Sequence, residues 1–460
     1  MPRIYFDTNV FSNLKSATKE EYRLMNEMIK AFTLNLSFVF SPAHIRDKKK
    51  DKSDKKFKDF AFIESIAGDN YISYDAIEKK TSFYLATPRM AFDDNVTGSD
   101  LSDLENFWEL DSEDERINEM KRELKEKYSK IPVIMPAIKK ESMPEKQLIF
   151  SEKLFPAGKE NISMFDVMEQ LTKFSSEMYT DFKTYKNLRN YIDENFNQGK
   201  FSVHGELNFN EAFKDSKFKQ SFTDFVYEKM QKDNNDNISF YDFFSQCFLS
   251  LDIFAIAKDE ISKKNDFGNI LNDSMHAWYG QFCDYFVTVD RKLREKTQAL
   301  YRLFGINTPI VNPEKFSQLL PEIGKNSEKN IIQFFAKLWD EEKRADASSS
   351  VIEIKYPVVN FFDEIIVLQQ TEKYFYLHKK QVHDLSQPNY RETAQIVGRC
   401  LRIFGTDLSK KEGFDFEKEV KQLRNKEWNG RIWSAGPLFI VLNYNHDIGE
   451  LFLTVGPMRA

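Results

Sequence analysis

Four short apolar segments constrain this chain more than any other feature, because each leads into a helical pattern. "RIYFDTNVFSNL" carries one at residues 4 to 6, and "LSFVFSPAHIRDKKK" carries a second that ends at Ser41. "DYFVTVD" is a third and "TPIVNPEKFSQLL" a fourth. Ser41 suits a helix cap and Pro42 the first helical position. Strands alternating with helices predict a parallel sheet. The first segment is unusual in how it ends. It stops at Asp7, followed by Thr8 and Asn9, where an ordinary buried strand ends in turn residues such as Gly or Pro.

The other patterns along the chain divide it. Lys15 to Phe32 has an amphipathic helical spacing, and Ala76 to Asn237 reads as charged and helical, with turns at "VTGSD", "KIPVIMP" and "FPAGKEN". A buried helix is predicted from Ser239 to Ile261 and another over "ILNDSMHAWYGQFC". Past Leu338, "DEEKRADASSS" has the composition of a linker. Strands are predicted in "VIEIKYPVV", "EIIVL", "KYFYLHK", "PLFIVLNY" and "ELFLTVG", with one helix in "YRETAQIVGRCLRIFG". The expected fold is α/β. A parallel-sheet core at 1–75 and 238–325 is split by a mainly helical insertion at 76–237. A helix and linker at 326–350 then lead to a C-terminal α+β domain at 351–460.

Composition narrows the class. A charged fraction of 30% with 41% hydrophobic residues is that of a globular protein, and the 43 phenylalanines at mostly helical spacing read as core. No apolar run reaches the roughly 18 residues of a membrane span, and the N-terminus lacks a signal-peptide plan. Cys247, Cys283 and Cys400 form no disulfide or zinc pattern, so a cytoplasmic location is expected. His378, His383 and His446 lack metal-ligand spacing and read as core or surface residues. The net charge of -6 excludes a protein that coats nucleic acid along its whole surface, though not a local basic site.

In an open parallel sheet, sites form outside the carboxyl ends of the strands. Asp7 and Asp290 sit at such ends, Asp47 in the second turn of the helix after the second strand, and Asp273 near the start of the helix before "DYFVTVD". Singly, each has an ordinary reading: Asp7 or Asp273 as a helix cap, Asp47 on a solvated face, Asp290 in a turn. Together they converge on one sheet edge.

The segments "YFDTNVF", "SPAHIRD", "NDSMHAWYGQFCDYFVTVD" and "TPIVNPEKF" resemble the PIN-domain nuclease family over about residues 1–75 and 240–320. The resemblance implies that Asp7, Asp47, Asp273 and Asp290 form a catalytic, metal-binding quartet, with Thr8 and Asn9 shaping the turn beneath it. The second acid is usually Glu in that family and is Asp47 here. The core is also split by a longer insertion than small members carry.

An oxygen-only acidic set suits Mg²⁺ or Mn²⁺, which generate hydroxide near neutral pH and assist phosphodiester hydrolysis. No "GxSxG", cysteine–histidine pair or phosphate loop offers another chemistry. His44 and His276 share helical faces with Asp47 and Asp273, and either orient those acids, shuttle protons or tether helices. Asp284 and Thr288 are supporting candidates, Asp284 acting mainly on folding. From Arg46 to Lys58 eight basic residues face three acidic ones, so Lys48, Lys49 and Lys50, with Arg291, are candidate substrate contacts. A solvated loop is the competing reading.

The expectation is a metal-dependent endoribonuclease whose partner is nucleic acid, RNA rather than DNA. A structure-specific DNA nuclease, a catalytically inactive scaffold, and a toxin or antiviral defence effector are alternatives. In the last, the C-terminal domain senses a signal or holds a protein partner.

Overall fold

Arg3–Phe6 is buried along its whole length, as a strand covered on both faces must be. The computed structural model describes residues 2–32, 36–49, 51–95, 108, 111, 115–133, 162–204, 208–233, 237–263, 265–327, 351–366, 374–379, 390–447 and 449–457. Lys50, His383, "VTGSD", "FPAGKEN" and the linker at 328–350 lie outside the described residues. The chain is mixed α/β and forms two units. One comprises Met1–Phe92, Cys283–Val289 and Val311–Ala460, the other Asp93–Phe282 and Asp290–Ile310.

The first unit begins with β1 (Arg3–Phe6), α1 (Thr8–Ser16), α2 (Glu20–Ala31), β2 (Ser37–Val39), α3 (Pro42–Lys49), α4 (Lys55–Ala67), β3 (Asn70–Asp75) and β4 (Lys80–Leu85). The α5 helix (Pro88–Asn95) follows. With β5 (Tyr285–Val287) and β6 (Ile310–Val311), the parallel sheet has the order β2-β1-β5-β6. Ile4, Phe6, Phe38 and Val287 pack with Val10, Leu14, Met25 and Phe316, the last from α14 (Pro313–Ser327).

Two expected helical stretches are corrected here. Lys15 to Phe32 is not one helix: Ala17 turns left-handed, and the Asn26 amide donates to the Leu14 carbonyl at 2.7 Å across the break. Leu14, Tyr22, Met25 and Ile29 all face one core, so the apolar spacing runs through a break it does not reveal. Residues 76 to 85 are not helical either, because β3 and β4 form an antiparallel hairpin. Its charged turn is closed by the Asp75 carboxylate, which accepts from the N–H groups of Ile77 and Glu78 at 2.8 and 3.0 Å.

The C-terminal part of this unit is an antiparallel sheet of order β10-β11-β12-β9-β8-β7. Its strands are β7 (Val351–Val358), β8 (Phe362–Ile366), β9 (Phe375–His378), β10 (Arg431–Ala435), β11 (Leu438–Asn445) and β12 (Glu450–Pro457). Ile396, Val397 and Cys400 of the helix α15 (Tyr390–Phe404) cover one face. Beyond the expected elements are β10 and the helix α16 (Phe416–Arg424). Leu423 and Trp433 place both in the apolar core, and a buried charge cluster joins them. Buried Arg431 reaches Asp407 and Glu419, each at 2.5 Å, and the Trp428 indole N–H donates to Glu419 at 2.8 Å. His378 lies between Glu364 and Glu450, at 3.0 and 3.2 Å.

The β7–β8 turn is tied to the amino ends of the parallel strands within this same unit. Val359 and Asn360 are both left-handed there. The Arg3 guanidinium donates to the Asn360 side-chain oxygen at 3.2 Å and the Pro357 carbonyl at 3.3 Å. The Asn360 amide in turn donates to the Ser37 hydroxyl and to Asn70. Arg399 pairs with Asp69 at 2.6 Å and donates to the Val359 carbonyl at 2.9 Å.

The second unit is helical among its described residues. Its helices are α6 (Glu115–Ser129), α7 (Met164–Thr180), α8 (Phe182–Ile192), α9 (Phe209–Ala212), α10 (Phe222–Asp233), α11 (Phe240–Ile253), α12 (Phe267–Gly280) and α13 (Arg291–Phe304). Phenylalanines fill its core: the Phe213 ring meets those of Phe201, Phe225 and Phe254 at 5.5, 5.5 and 6.0 Å. The helix expected to reach Ile261 ends at Ile253, because the chain turns at a left-handed Ala255 to bring Asp259 beside Asp252. Among the described residues, no helix is long and apolar enough to cross a membrane.

The Arg431 cluster sets a pH dependence. Burial pushes the Asp407 and Glu419 carboxyls up, but Lys411 and Arg431 at Asp407, and Arg431 and Trp428 at Glu419, outweigh it and hold both below their usual range. Groups depressed in the folded state contribute stability that is present above the unfolded carboxyl pKa of about 4 and lost as pH falls through the folded values. Arg431→Met is expected to cost about 3 kcal/mol or more near neutral pH, by leaving two buried carboxylates unpaired. That deficit should shrink on acidification, as the carboxyls protonate. Urea midpoints for wild type and variant near neutral pH and below about pH 4 check this, and a pH-independent deficit would contradict it.

Candidate active site

At the carboxyl end of β1, Asp7 is both the last residue before a helix and a buried carboxylate, 2% exposed. One oxygen accepts from the Val10 N–H at 2.7 Å, which makes Asp7 the N-cap of α1. The other accepts from the Thr288 hydroxyl, buried just beyond β5. The Asp7 N–H donates to the Val287 carbonyl at 3.1 Å. Asp7 and Thr288 are thereby joined across the carboxyl ends of two neighbouring parallel strands. Thr8 is buried on the first turn of α1 and Asn9 is exposed beside it.

The His44 ring ties α3 to β1. Its Nδ1 accepts from the Ser41 N–H at 3.0 Å, and its Nε2–H donates to the Phe6 carbonyl at 2.7 Å. The ring is fully buried, edge-on to Tyr5 and Phe11. It fixes α3 to the residue immediately before Asp7. The Ser41 hydroxyl accepts from the Ala43 N–H at 3.2 Å, as the capping pattern predicts. Asp47 is exposed in the second turn of α3. Asp284 lies at the amino end of β5, where it accepts from the Arg3 N–H at 2.7 Å. This is the opposite end of the sheet from Asp7.

The lysine run is partly neutralised from within the unit. Lys48 pairs with Asp59 at 2.9 Å, and Lys15 reaches the same carboxylate at 2.5 Å. Burial raises Asp59, but these two ammonium groups outweigh it and hold its carboxyl below the usual range. Lys49 is half-buried on the last turn of α3.

In the second unit Asp290 is the N-cap of α13, accepting from the N–H groups of Lys292 and Leu293 at 2.7 and 3.0 Å. Arg291 is exposed and pairs with Glu295 at 3.3 Å. Asp273 stands in the middle of α12 rather than near its start, because the cap is Asp266, seven residues earlier. Asp273 is half-buried and His276, one turn on, is buried.

The charges near Asp273 and Asp290 belong to a buried network that the acidic pattern did not disclose. Lys296, 1% exposed, donates to Asp259 and lies 3.4 Å from Asp252. Arg189 and the Tyr185 hydroxyl also reach Asp252, at 3.2 and 2.7 Å. Burial pushes Lys296 down, but Asp252 and Asp259 outweigh it and raise it, with Asp273 adding to the effect. A signal exists in the sequence: Lys296 occupies an apolar position of α13, in register with Leu293 and Leu300.

The donor chemistry, carboxylate and hydroxyl oxygen, suits a hard divalent cation. Yet among the described residues no three His, Cys, Asp or Glu side chains are grouped so as to hold a metal ion. In comparisons with known proteins, no family model, curated protein or solved structure matches this chain.

The two bonds to Asp7 predict how it tolerates change. Asn keeps an oxygen for the Val10 N–H and an amide for the Thr288 hydroxyl, so Asp7→Asn should cost about 1 kcal/mol or less. Asp7→Ala orphans both partners and should cost about 2 to 3 kcal/mol. Thermal and urea unfolding of the two variants check this, and equal losses would contradict it.

Proposed function

We propose that this protein is a PIN-like nuclease that hydrolyses phosphodiester bonds in RNA, with Mg²⁺ or Mn²⁺ as cofactor. The observation that carries the reading is the polarity of the sheet. Asp7 lies at the carboxyl end of β1, at the centre of the order β2-β1-β5-β6, and Asp290 follows β5 by three residues and caps the next helix. Ligands of open parallel sheets bind outside such ends.

The chain's own residues have definable tasks under this reading. Asp7 is held in a fixed orientation by the Val10 N–H and the Thr288 hydroxyl. Ordered carboxylates of this kind hold a cation with less reorganisation than mobile ones. His44 keeps α3, and with it Asp47, in register with the end of β1. Asp273 and Asp290 remain the other two acids of the proposal. A bound divalent ion supplies activation of water and charge stabilisation at phosphorus.

The test is incubation with total RNA, with and without Mn²⁺, followed by mapping of the cut ends. Metal-dependent cleavage is expected, reduced by about two orders of magnitude or more in Asp7→Asn. Thr288→Val, which removes only the supporting hydroxyl, should reduce it about tenfold or more. Cleavage by Asp7→Asn at the wild-type rate would remove Asp7 from the chemistry. Cleavage of matched DNA in preference to RNA would reassign the substrate.

A further inference from the structure

We propose that the first turn of α4 and the turn before it grip single-stranded nucleic acid, Lys52, Lys55 and Lys58 holding phosphates and the Arg89 guanidinium, which lies over Phe57, supporting a base. This names the substrate class of the nuclease reading, on which it rests only for the fate of the strand once bound.

The geometry separates the cations of this region into two groups. Lys48 and Lys15 share Asp59, and Lys56 donates to the Asp51 carbonyl at 3.1 Å while lying over the Phe57 and Phe92 rings. Those are tied to the unit itself. Lys52, Lys55 and Lys58 are exposed, and among the described residues no ion pair involves them. Lys55 and Lys58 are one helical turn apart on α4. Asp51 accepts from the Ser53 hydroxyl and N–H at 2.7 and 2.8 Å, bonds that hold it below its usual range, with the nearby Lys56 and Lys55 adding to the effect. Only Asp54 intervenes in the run from Lys52 to Lys58, so positive charge is in excess.

The aromatic part of the feature selects a single strand. The Arg89 guanidinium lies 4.1 Å over the Phe57 ring, which is half-buried against Phe60 and Phe92. A guanidinium backed by a fixed ring is a planar, cationic surface. Unstacked bases lie on such surfaces, whereas bases within a duplex are already stacked. Phosphate-binding lysines beside a stacking plane are the combination that single-strand binders use.

Fluorescence anisotropy with a short labelled oligouridylate, in EDTA so that no cleavage intervenes, tests the assignment. Wild type should bind the single strand more tightly than a duplex of the same length. In Lys52→Gln/Lys55→Gln/Lys58→Gln, the slope of log affinity against log salt should fall in magnitude by about 2, from about 0.7 per lost phosphate contact. Arg89→Lys keeps the charge and loses the plane, so it should leave that slope nearly unchanged while weakening binding about fivefold or more. An unchanged slope in the triple variant, an inert Arg89→Lys, or preference for the duplex would overturn the proposal. Binding as expected without any Mn²⁺-dependent cleavage would strike the nuclease reading alone.

Discussion

A carboxylate is buried at tolerable cost only when donors satisfy it, and donors reach Asp7 from two directions. The Val10 N–H comes from the helix that Asp7 itself starts, and the Thr288 hydroxyl from the segment that follows β5. The same residue therefore ends β1, begins α1 and sets the spacing to β5. Neither Gly nor Pro can do this, since neither carries an acceptor side chain. That is the physical reason an apolar strand runs into Asp-Thr-Asn, whatever else the carboxylate does.

The two ends of the parallel sheet are treated differently. At the amino ends, Arg3 and Ser37 are closed off by the β7–β8 turn through Asn360, and Asp284 accepts from the Arg3 N–H. Every polar group named there has a partner from the same unit. At the carboxyl end, the Asp7 oxygens accept from the Val10 N–H and the Thr288 hydroxyl. The fold thus closes the amino edge with its own C-terminal residues and sets a buried carboxylate at the other. This asymmetry is what the nuclease proposal draws on.

The strand–helix alternation was legible because strands buried on both faces have nothing but apolar residues to display, as Ile4 to Phe6 do. Asp7 was legible for the converse reason. The β3–β4 hairpin was not, since its turn is charged and its closure depends on the Asp75 side chain rather than on Gly or Pro. Nor was the break at Ala17, where both helices turn their apolar faces to one core. Of the basic run, its composition was evident but its allocation was not: Lys48 of α3 pairs with Asp59 of α4, eleven positions on, a partner that the local pattern does not mark. The Lys296 network was hidden because Arg189 and Lys296 lie far along the chain from the Asp252–Asp259 turn that they meet. Asp273 was placed near the start of its helix because Asp266, which in fact caps it, has no feature in the pattern that sets it apart.

Under the nuclease proposal, Asp7 recruits a metal ion and is more than a helix cap. A crystal of the wild-type protein soaked in Mn²⁺, with diffraction recorded near the manganese edge, tests it directly. The account predicts an anomalous peak within bonding distance of an Asp7 carboxylate oxygen, and loss of that peak in Asp7→Asn. Well-ordered density for Asp7 bonded to Val10 and Thr288, with no anomalous peak beside it at saturating Mn²⁺, would contradict the account and leave Asp7 as a structural residue.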